Sequence, residues 1–318
     1  FVAVKGEQAD GHTFIPVVVK GGVAAVVLQE PAPDLPVPFA RVADSRKALG
    51  LLGNHFYGEP SSKIRMIGVT GTNGKTTTTY VCKALLEALG RRVGLIGTVA
   101  YQIGNETIPA SHTTPGALEL QQLLAKMVAG GCTTAVMEVS SHALAQDRVS
   151  GCEYDVAVFS NLTQDHLDFH RTMEEYFLAK LRLFTGLTGT SKPNKRAIVN
   201  VDDPAGDRIK QLCPAPVWSY GLKAKADLRA EHVRLSLGGT TFTAATPAGS
   251  FSVESQLVGE HNVYNLLAAI GVALHEGATP DQVRQVESER RDVGLQLRAG
   301  LLEGHEHARL AELRGAAN

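Results

Sequence analysis

The sequence predicts an α/β fold with a mostly parallel central sheet and helices on both faces. Several short apolar runs lack the alternation of a half-exposed strand, so we expect strands buried on both faces, as in parallel sheets. They span residues 64–69, 93–99, 134–139, 155–161 and 196–201. Stretches with helical apolar spacing separate several of these runs, and strands that alternate with helices are typical of a doubly wound sheet.

A smaller α/β unit precedes this sheet. Residues 12–50 alternate short helical and apolar stretches, including a strand-like run at 23–28. A turn-rich segment at 58–63 is typical of a linker. We therefore expect a partial N-terminal domain over residues 1–62 and a central domain over residues 63–286.

The chain changes character towards its end. Residues 216–257 have the pattern of short β segments, and a helical pattern resumes at 259–274. Residues 287–318 contain charges and helix formers, but they show no strand pattern and no clear core face. We expect this last segment to be an atypical tail.

Composition argues against several classes of partner. Lys and Arg number 31 and Asp and Glu number 32, so a net charge of −1 gives no bulk attraction for nucleic acid. No apolar run reaches the roughly 18 residues that span a bilayer, and no signal-peptide pattern is present. The 4 cysteines form no CxxC pair and are expected to be reduced thiols. We expect a cytoplasmic protein without membrane insertion.

A glycine-rich segment, GTNGKTT at residues 71–77, lies between a predicted buried strand and a helical pattern, which is where such loops bind phosphate. Gly71 and Gly74 permit tight turns whose backbone N–H groups converge on phosphate oxygens. Lys75 can reach the β- and γ-phosphates, and Thr76 offers a hydroxyl to Mg²⁺ at a helix start. The spacing departs from the strict G-x-x-x-x-G-K-[ST] pattern, so a turn that binds nothing is the alternative. The pattern favours a nucleoside triphosphate site.

Polar side chains follow two predicted strands at their carboxyl ends, where α/β sheets bind ligands. After the strand at 134–139 come a carboxylate, a hydroxyl, an imidazole, an amide and a guanidinium: Glu138, Ser140, His142, Gln146 and Arg148. After the strand at 155–161 come Asp165, His166, Asp168 and His170. Each residue alone is equally explained as a cap or a satisfied polar group. Two such clusters beside a phosphate loop indicate an ATP–Mg²⁺ reaction centre.

The segment MEEYFLAKLRLF, residues 173–184, predicts an amphipathic helix with a lysine on its apolar face. Lys180 lies four residues after Tyr176 and four before Phe184, at helical spacing. On the helix pattern alone, the lysine stem packs and its ammonium reaches water. The alternative is a lysine that stays buried and serves the neighbouring reaction centre, and its burial would favour the neutral amine.

These motifs together resemble those of the Mur ligases of peptidoglycan synthesis. The resemblance is carried by TGTNGKTTTT, HTTP, MEVSSHALAQDRV and FSNLTQDHLDFH, and it extends to KGEQADGHTFI near the start and GEHNVYNLLAAIGVAL. It covers about residues 1–286. It is strongest for the members that add a third residue to UDP-N-acetylmuramoyl-L-alanyl-D-glutamate.

The resemblance implies an ATP- and Mg²⁺-dependent ligase that joins a free amino acid to this UDP-muramoyl dipeptide through an acyl phosphate. It implies that ATP is held by Gly71, Thr72, Asn73, Gly74, Lys75, Thr76 and Thr77, with His261, Asn262 and Asn265 near the adenine. It implies that the dipeptide substrate is held by His112, Thr113, Thr114, Ser140, Gln146 and Arg148, with Glu7, Gln8 and Ala9 near its nucleotide end. The implied catalytic residues are Lys75, Glu138, His166 and Lys180. The implied metal ligands are Thr76, Glu138, His166 and the carbamate of Lys180.

The sequence departs from the family pattern at its end. Family members carry a third, C-terminal domain that recognises the incoming amino acid, and residues 287–318 stand in its place. We therefore expect a truncated form, and the amino acid is not specified by this sequence. A catalytically incomplete fragment that binds ATP and a UDP-sugar is one alternative, and a folylpolyglutamate-type ligase is another.

Overall fold

The structure, a computed structural model, describes residues 1–6, 9–31, 34–165, 167–188 and 192–289. Its strands are β1 (Val26–Leu28), β2 (Phe39–Arg41), β3 (Arg65–Thr70), β4 (Val93–Ile96), β5 (Ala100–Ile103), β6 (Glu106–Pro109), β7 (Thr134–Glu138), β8 (Val156–Phe159), β9 (Arg196–Asn200), β10 (Val217–Gly221), β11 (Leu228–Ser236), β12 (Gly239–Thr246) and β13 (Gly249–Ser255). Its α-helices are α1 (Ile15–Lys20), α2 (Ser45–Phe56), α3 (Pro60–Lys63), α4 (Lys75–Ala88), α5 (Ala117–Ala129), α6 (Ser141–Ala145), α7 (Leu167–His170), α8 (Met173–Thr185), α9 (Pro204–Leu212), α10 (Glu260–His275) and α11 (Pro280–Glu289).

One large sheet organises the chain. Its 11 strands lie in the order β13-β12-β11-β10-β9-β8-β3-β7-β4-β5-β6. The stretch from β11 to β4 is parallel throughout, while β12 and β13 at one end and β5 and β6 at the other are antiparallel. The predicted mostly parallel sheet is therefore confirmed, and antiparallel strands extend it at both ends.

Helices cover both faces of this sheet, as the sequence pattern predicts. One apolar layer contains α4 and α10, with side chains such as Leu85 and Leu266 packed against the strands. The other layer contains α5 and α8, with side chains such as Leu124 and Phe184. Because both faces are packed, strands β3 and β7 to β9 are almost continuously apolar and buried.

The N-terminal part has a small sheet of its own. Strands β1 and β2 pair in parallel, and Val2 forms a parallel bridge to Val27. A separate apolar cluster contains Ala3, Ile15, Val26 and Leu28. This arrangement agrees with a small α/β unit at the start, although the domain boundaries stay a prediction.

The structure shortens or replaces some predicted elements. The strand predicted at 23–28 is limited to β1. The predicted linker at 58–63 contains the short helix α3, which begins at Pro60, because a proline in the first helical position has no N–H to leave unsatisfied. The tail predicted at 287–318 lies outside the described residues except where α11 reaches Glu289. None of the helices in the described ranges has both the length and the apolar character needed to cross a bilayer.

An ion-pair network with buried carboxylates joins β3 to the start of the neighbouring strand β8 and to α10 at the amino end of the sheet. Arg65 Nη1 lies 2.7 Å from Asp155 Oδ1, and Arg65 Nη2 lies 2.5 Å from Glu276 Oε1 at the end of α10. Arg91 Nη1 also donates to Glu276 Oε2 at 2.5 Å. Burial opposes ionisation of Glu276, but hydrogen bonds and charges from the two arginines outweigh it and lower the pKa of its carboxyl. The network fixes α10 to the sheet.

Replacement of Glu276 by Gln should lower the free energy of unfolding by about 2–3 kcal/mol at neutral pH, because two half-buried guanidinium groups lose their buried, charged partner. In the wild type this stabilisation is present above the ordinary carboxyl pKa of 4.5 and is lost as the pH falls through the lowered pKa. Urea denaturation at pH 7 and below pH 4.5 measures both effects. The exposed Glu254→Gln on β13 is the control, and an equal loss at both pH values would contradict the assignment.

Candidate active site

The phosphate loop connects the carboxyl end of β3 to the first turn of α4. Gly71 has φ 148° and Gly74, the residue that caps α4, has φ 86°. A Cβ at Gly71 would lie 1.9 Å from Ser160 Oγ, and a Cβ at Gly74 would lie 2.3 Å from Asn265 Oδ1. Both positions therefore require glycine for conformation and for space. The loop leads directly into the first turn of α4, and the start of a helix favours the binding of an anion.

Side chains after β8 hold this loop in place. Ser160 Oγ donates to Asn73 O at 2.6 Å. Asn161 Oδ1 accepts from Asn73 N at 3.0 Å, and Asn161 O accepts from Thr72 N at 2.8 Å. Ser160 and Asn161 were not predicted as site residues, because the apolar run that predicts this strand, 155–161, includes both, whereas β8 ends at Phe159.

The Lys75 ammonium is turned back onto the loop. Its Nζ donates to Gly71 O at 3.1 Å and to Thr72 O at 2.8 Å. Burial lowers the pKa of Lys75, while the charges of Glu138 and Asp165 act in the opposite direction. The amine thus lies among the loop carbonyls, beside the place where the loop turns into α4.

The Glu138 carboxylate is the centre of a second set of contacts. It is 1% exposed at the carboxyl end of β7, and its Oε1 accepts from Thr76 Oγ1 and from Thr98 N, both at 2.9 Å. Thr98 Oγ1 donates to Oε2 at 3.1 Å. Burial raises the pKa of Glu138, while the contacts with Thr98, Lys75 and Thr76 lower it. Thr98 was not predicted as a site residue, because the apolar run that predicts this strand, 93–99, includes it, whereas β4 ends at Ile96.

Lys180 is buried and not exposed to solvent. It is 1% exposed, its Nζ donates to Gly71 O at 2.8 Å, and it lies 4.3 Å from the centre of the Tyr176 ring. Burial lowers its pKa well below the ordinary 10.5, the charge of Lys75 lowers it further, and Asp165 opposes both. Tyr176 in turn lies 3.1 Å from Thr72 Oγ1 through its hydroxyl. The interpretation in which the Lys180 ammonium reaches water is therefore wrong, because this face of α8 packs against the phosphate loop.

The residues expected near the dipeptide substrate come together beside Glu138. Thr114 Oγ1 donates to Glu138 O at 2.9 Å and accepts from Ser140 N at 3.0 Å. Arg148 Nε and Nη2 donate to Gln146 Oε1 at 2.8 and 2.6 Å, and Nη1 donates to Thr114 O at 3.2 Å. A guanidinium and hydroxyls thus lie together beside Glu138, at the carboxyl end of β7.

The HTTP segment, residues 112–115, also lies beside Glu138. Thr113 Oγ1 accepts from Thr98 Oγ1 at 3.1 Å, next to Glu138. His112 is exposed, and its backbone carbonyl accepts from Tyr101 Oη at 2.7 Å. The contact between Thr113 and Thr98 connects the expected substrate segment to the Glu138 carboxylate.

The start of α10 lies against the phosphate loop. Asn265 Oδ1 accepts from Thr78 Oγ1 at 3.3 Å, and Asn265 Nδ2 donates to Asn262 Oδ1 at 3.0 Å. His261 is exposed in the first turn, beside Gly259. Of the three residues predicted near the adenine, Asn265 therefore lies against the loop at Gly74 and Asn262 contacts Asn265, while Thr77 lies half-buried in the first turn of α4.

Other predicted residues are apart from this cluster or outside the described residues. Ala9 lies in an exposed loop of the N-terminal sheet, where its carbonyl accepts from Gly6 N at 2.8 Å. Glu7, Gln8 and His166 lie outside the described residues. The proposed roles of all the site residues stay predictions.

The oxygen groups around Glu138 fit Mg²⁺ better than a soft metal. Among the described residues, no group of three or more His, Cys, Asp and Glu side chains could hold a metal ion. Mg²⁺ needs no such cluster, because it keeps several waters and uses one or two protein oxygens with substrate phosphates. The Thr76 hydroxyl and the Glu138 carboxylate, 2.9 Å apart at the helix start, supply such oxygens.

Comparison with known proteins adds the family. The sequence profile described as the Mur ligase middle domain matches residues 69–273, from the end of β3 to α10. The chain belongs to the Mur ligase family.

Relatives and solved structures agree with this Mur ligase assignment. The UDP-N-acetylmuramoyl-L-alanyl-D-glutamate--2,6-diaminopimelate ligase of Geobacillus kaustophilus is 47% identical over 279 residues, which are 87% of this chain and 57% of that protein. A solved structure of a ligase with the same name shares 33% identity and a TM-score of 0.79 over 90% of this chain and 59% of its own. The chain thus spans a little over half the length of these Mur ligases.

A more distant neighbour shares the fold alone. The folylpolyglutamate synthase of Mycobacterium tuberculosis, solved with ADP and AMPPCP, has 18% identity and a TM-score of 0.62 over 76% of this chain and 62% of its own. A similar arrangement of sheet and helices thus occurs in this synthase and in the present chain. In sequence, the chain is more similar to the UDP-N-acetylmuramoyl ligase than to the synthase.

Replacement of Gly74 by Ala should destabilise the protein more than replacement of Gly90 by Ala. Both glycines flank α4 at positive φ, 86° and 78°, so each variant loses about 1 kcal/mol to backbone strain. Only the Gly74 variant also meets Asn265 Oδ1, whereas nothing lies within 4 Å of a Cβ at Gly90. Thermal unfolding midpoints measure the difference.

Addition of Asn265→Ala to the Gly74 variant should recover part of the lost stability, because it removes the colliding atom. Equal midpoints for the Gly74→Ala and Gly90→Ala variants would show that the close approach of Asn265 to the loop is not a constraint.

Proposed function

We propose that this chain carries the ATP- and substrate-binding part of a ligase that adds an amino acid to UDP-N-acetylmuramoyl-L-alanyl-D-glutamate in peptidoglycan synthesis. The names of the similar ligases favour 2,6-diaminopimelate as that amino acid. Because the reaction consumes ATP, we propose the cytoplasm as its location.

The main support for this proposal is the convergence of two amines and one carboxylate at one loop. Lys75 and Lys180 both donate to Gly71 O, and Thr76, the residue after Lys75, donates to Glu138. Loop amides, two amines and one carboxylate in a water-poor setting suit an anionic group whose charge is redistributed during transfer. Phosphoryl transfer to a substrate carboxylate is such a reaction.

In the proposed reaction the D-glutamyl carboxylate of the substrate attacks the γ-phosphorus of ATP, and the bond to the bridging oxygen of ADP breaks. The resulting acyl phosphate is attacked by the amine of the amino acid, which forms the amide, releases inorganic phosphate and loses a proton. Lys75 and the amides of the loop would stabilise the oxygens of the transferred group. Mg²⁺, held by Thr76 and Glu138 and, as the resemblance implies, His166, would neutralise phosphate charge.

Lys180 would contribute a second anionic ligand beside the loop. Its lowered pKa increases the share of neutral amine, which is the form that reacts with CO₂. The ammonium first loses one proton; the nitrogen of the neutral amine then forms a bond to the carbon of CO₂ and loses a second proton, which leaves a carbamate anion. Such an anion would offset the charges of Lys75 and of the metal.

The substrate would lie against the neighbouring strand ends. Arg148, with Thr113, Thr114, Ser140 and Gln146, would hold the muramoyl dipeptide, because a guanidinium beside hydroxyls suits carboxylates and phosphates. The N-terminal loop around Ala9 would contact the nucleotide end, and His261, Asn262 and Asn265 would contact the adenine of ATP.

Phosphate release from ATP should require both UDP-N-acetylmuramoyl-L-alanyl-D-glutamate and 2,6-diaminopimelate. Lys75→Ala should lower the rate at least about 100-fold, because a donor to the transferred oxygens is lost. A phosphate assay on the 318-residue protein with each component omitted in turn measures this.

No amino-acid-dependent phosphate release under any combination would contradict ligase activity of this chain. If ATP still bound in that case, the alternative of a catalytically incomplete nucleotide-binding fragment would be favoured. Exposed Lys126→Ala on α5 is the matched control and should leave the rate unchanged.

The carbamate on Lys180 can be tested without turnover. Protein kept in ¹³C-labelled bicarbonate should show a carbamate carbon by ¹³C NMR, and Lys180→Met, which keeps most of the side-chain volume, should remove that signal and abolish phosphate release. The Lys126→Ala variant should keep both. An unchanged ¹³C spectrum in Lys180→Met would contradict the carbamate, and full activity of that variant would contradict any role for Lys180 in catalysis.

A further inference from the structure

The turn after β4 passes unusually close to the Glu138 carboxylate. A Cβ at Gly97 would lie 2.5 Å from Glu138 Oε1, so only glycine fits there. This approach lets the next residue, Thr98, donate its backbone N–H to Oε1 at 2.9 Å and its hydroxyl to Oε2 at 3.1 Å. Thr98 thus grips both oxygens of the carboxylate that would bind Mg²⁺.

The same hydroxyl also faces the expected substrate segment. Thr98 Oγ1 lies 3.1 Å from Thr113 Oγ1 as well as 3.1 Å from Glu138 Oε2, and it can donate to either. A hydroxyl has one proton, so the two acceptors compete for it. While Glu138 is an unshared carboxylate, it is the stronger acceptor of the two.

We propose that Thr98 is a positioning residue that couples Mg²⁺–ATP at Glu138 to the UDP-muramoyl dipeptide at Thr113. This inference rests on the proposed function. When Mg²⁺ binds Glu138, the carboxylate becomes a weaker hydrogen-bond acceptor, and the Thr98 hydroxyl donates to Thr113 Oγ1 instead. Thr113 then accepts a hydrogen bond from Thr98, and its own hydroxyl donates to an oxygen of the substrate. This second hydrogen bond is strengthened, because hydrogen bonds in a chain polarise one another.

The exposure of these side chains agrees with this role. Thr98 is exposed and Thr113 is half-buried, so a substrate can reach both, while Glu138 behind them is buried. Thr114, the neighbour of Thr113, donates to the backbone carbonyl of Glu138. The HTTP segment is therefore joined to Glu138 at two points, by Thr114 to its backbone carbonyl and through Thr98 to its carboxylate. The Thr98 hydroxyl is the contact that can change its acceptor.

The test compares the dissociation constant of UDP-N-acetylmuramoyl-L-alanyl-D-glutamate with and without Mg²⁺ and a non-hydrolysable ATP analogue, by calorimetry on the full chain. Wild-type protein should bind the dipeptide at least about fivefold more tightly in the presence of the Mg²⁺–analogue. Thr98→Val keeps the shape and the backbone N–H but removes the hydroxyl, and it should reduce this ratio to less than about twofold. Thr98→Ser should restore the wild-type ratio.

Thr107→Val on the exposed strand β6 is the matched control and should keep the wild-type ratio. Thermal unfolding midpoints show whether each variant folds. A Thr98→Val ratio equal to that of the wild type, or a wild-type ratio of one, would overturn the coupling while leaving the proposed function intact. Failure of wild-type protein to bind either ligand would contradict the proposed function itself, and the inference with it.

Discussion

The candidate site depends on the position of β3 between β7 and β8. All three strands run parallel, so their carboxyl ends meet at one edge of the sheet. The phosphate loop follows β3, Glu138 ends β7, and Ser160 follows β8. Dozens of residues separate these three segments in the sequence, and the strand order brings them together. The sheet is therefore the frame on which the chemistry is built.

Close backbone approach is the second constraint, and it follows from the first. Once three strand ends share an edge, the loop has to pass within contact distance of side chains from its neighbours. Gly71 faces Ser160, Gly74 faces Asn265, and Gly97 faces Glu138. In each case a Cβ would collide with a polar atom, so these glycines serve space as well as flexibility. At the amino end of the sheet, Arg65 and Glu276 fix α10 to β3.

Much of this fold could be predicted from the sequence, because buried parallel strands and the phosphate loop leave strong local patterns. Strands β3, β7, β8 and β9 and helix α4 are where their apolar runs predict them. The contacts of Thr98 and Asn161 could not be predicted in this way. Each depends on a turn brought to the loop by strand order, and strand order is not written in any local pattern. Lys180 was intermediate: its helix face was readable, but whether its amine met water or the loop depended on which strand the helix covered.

The charges of the site explain why an amine is buried there. Burial disfavours the ionised forms of Lys75, Lys180 and Glu138 alike, and two of these groups share the carbonyl of Gly71. Without an anion, the two amines repel one another and lower the pKa of Lys180. A bound polyphosphate, or a carbamate formed on Lys180 itself, removes that repulsion. The charge of Asp165 offsets this effect only in part, because the pKa of Lys180 stays well below 10.5, so we expect the site to favour an anion over a neutral ligand of the same size.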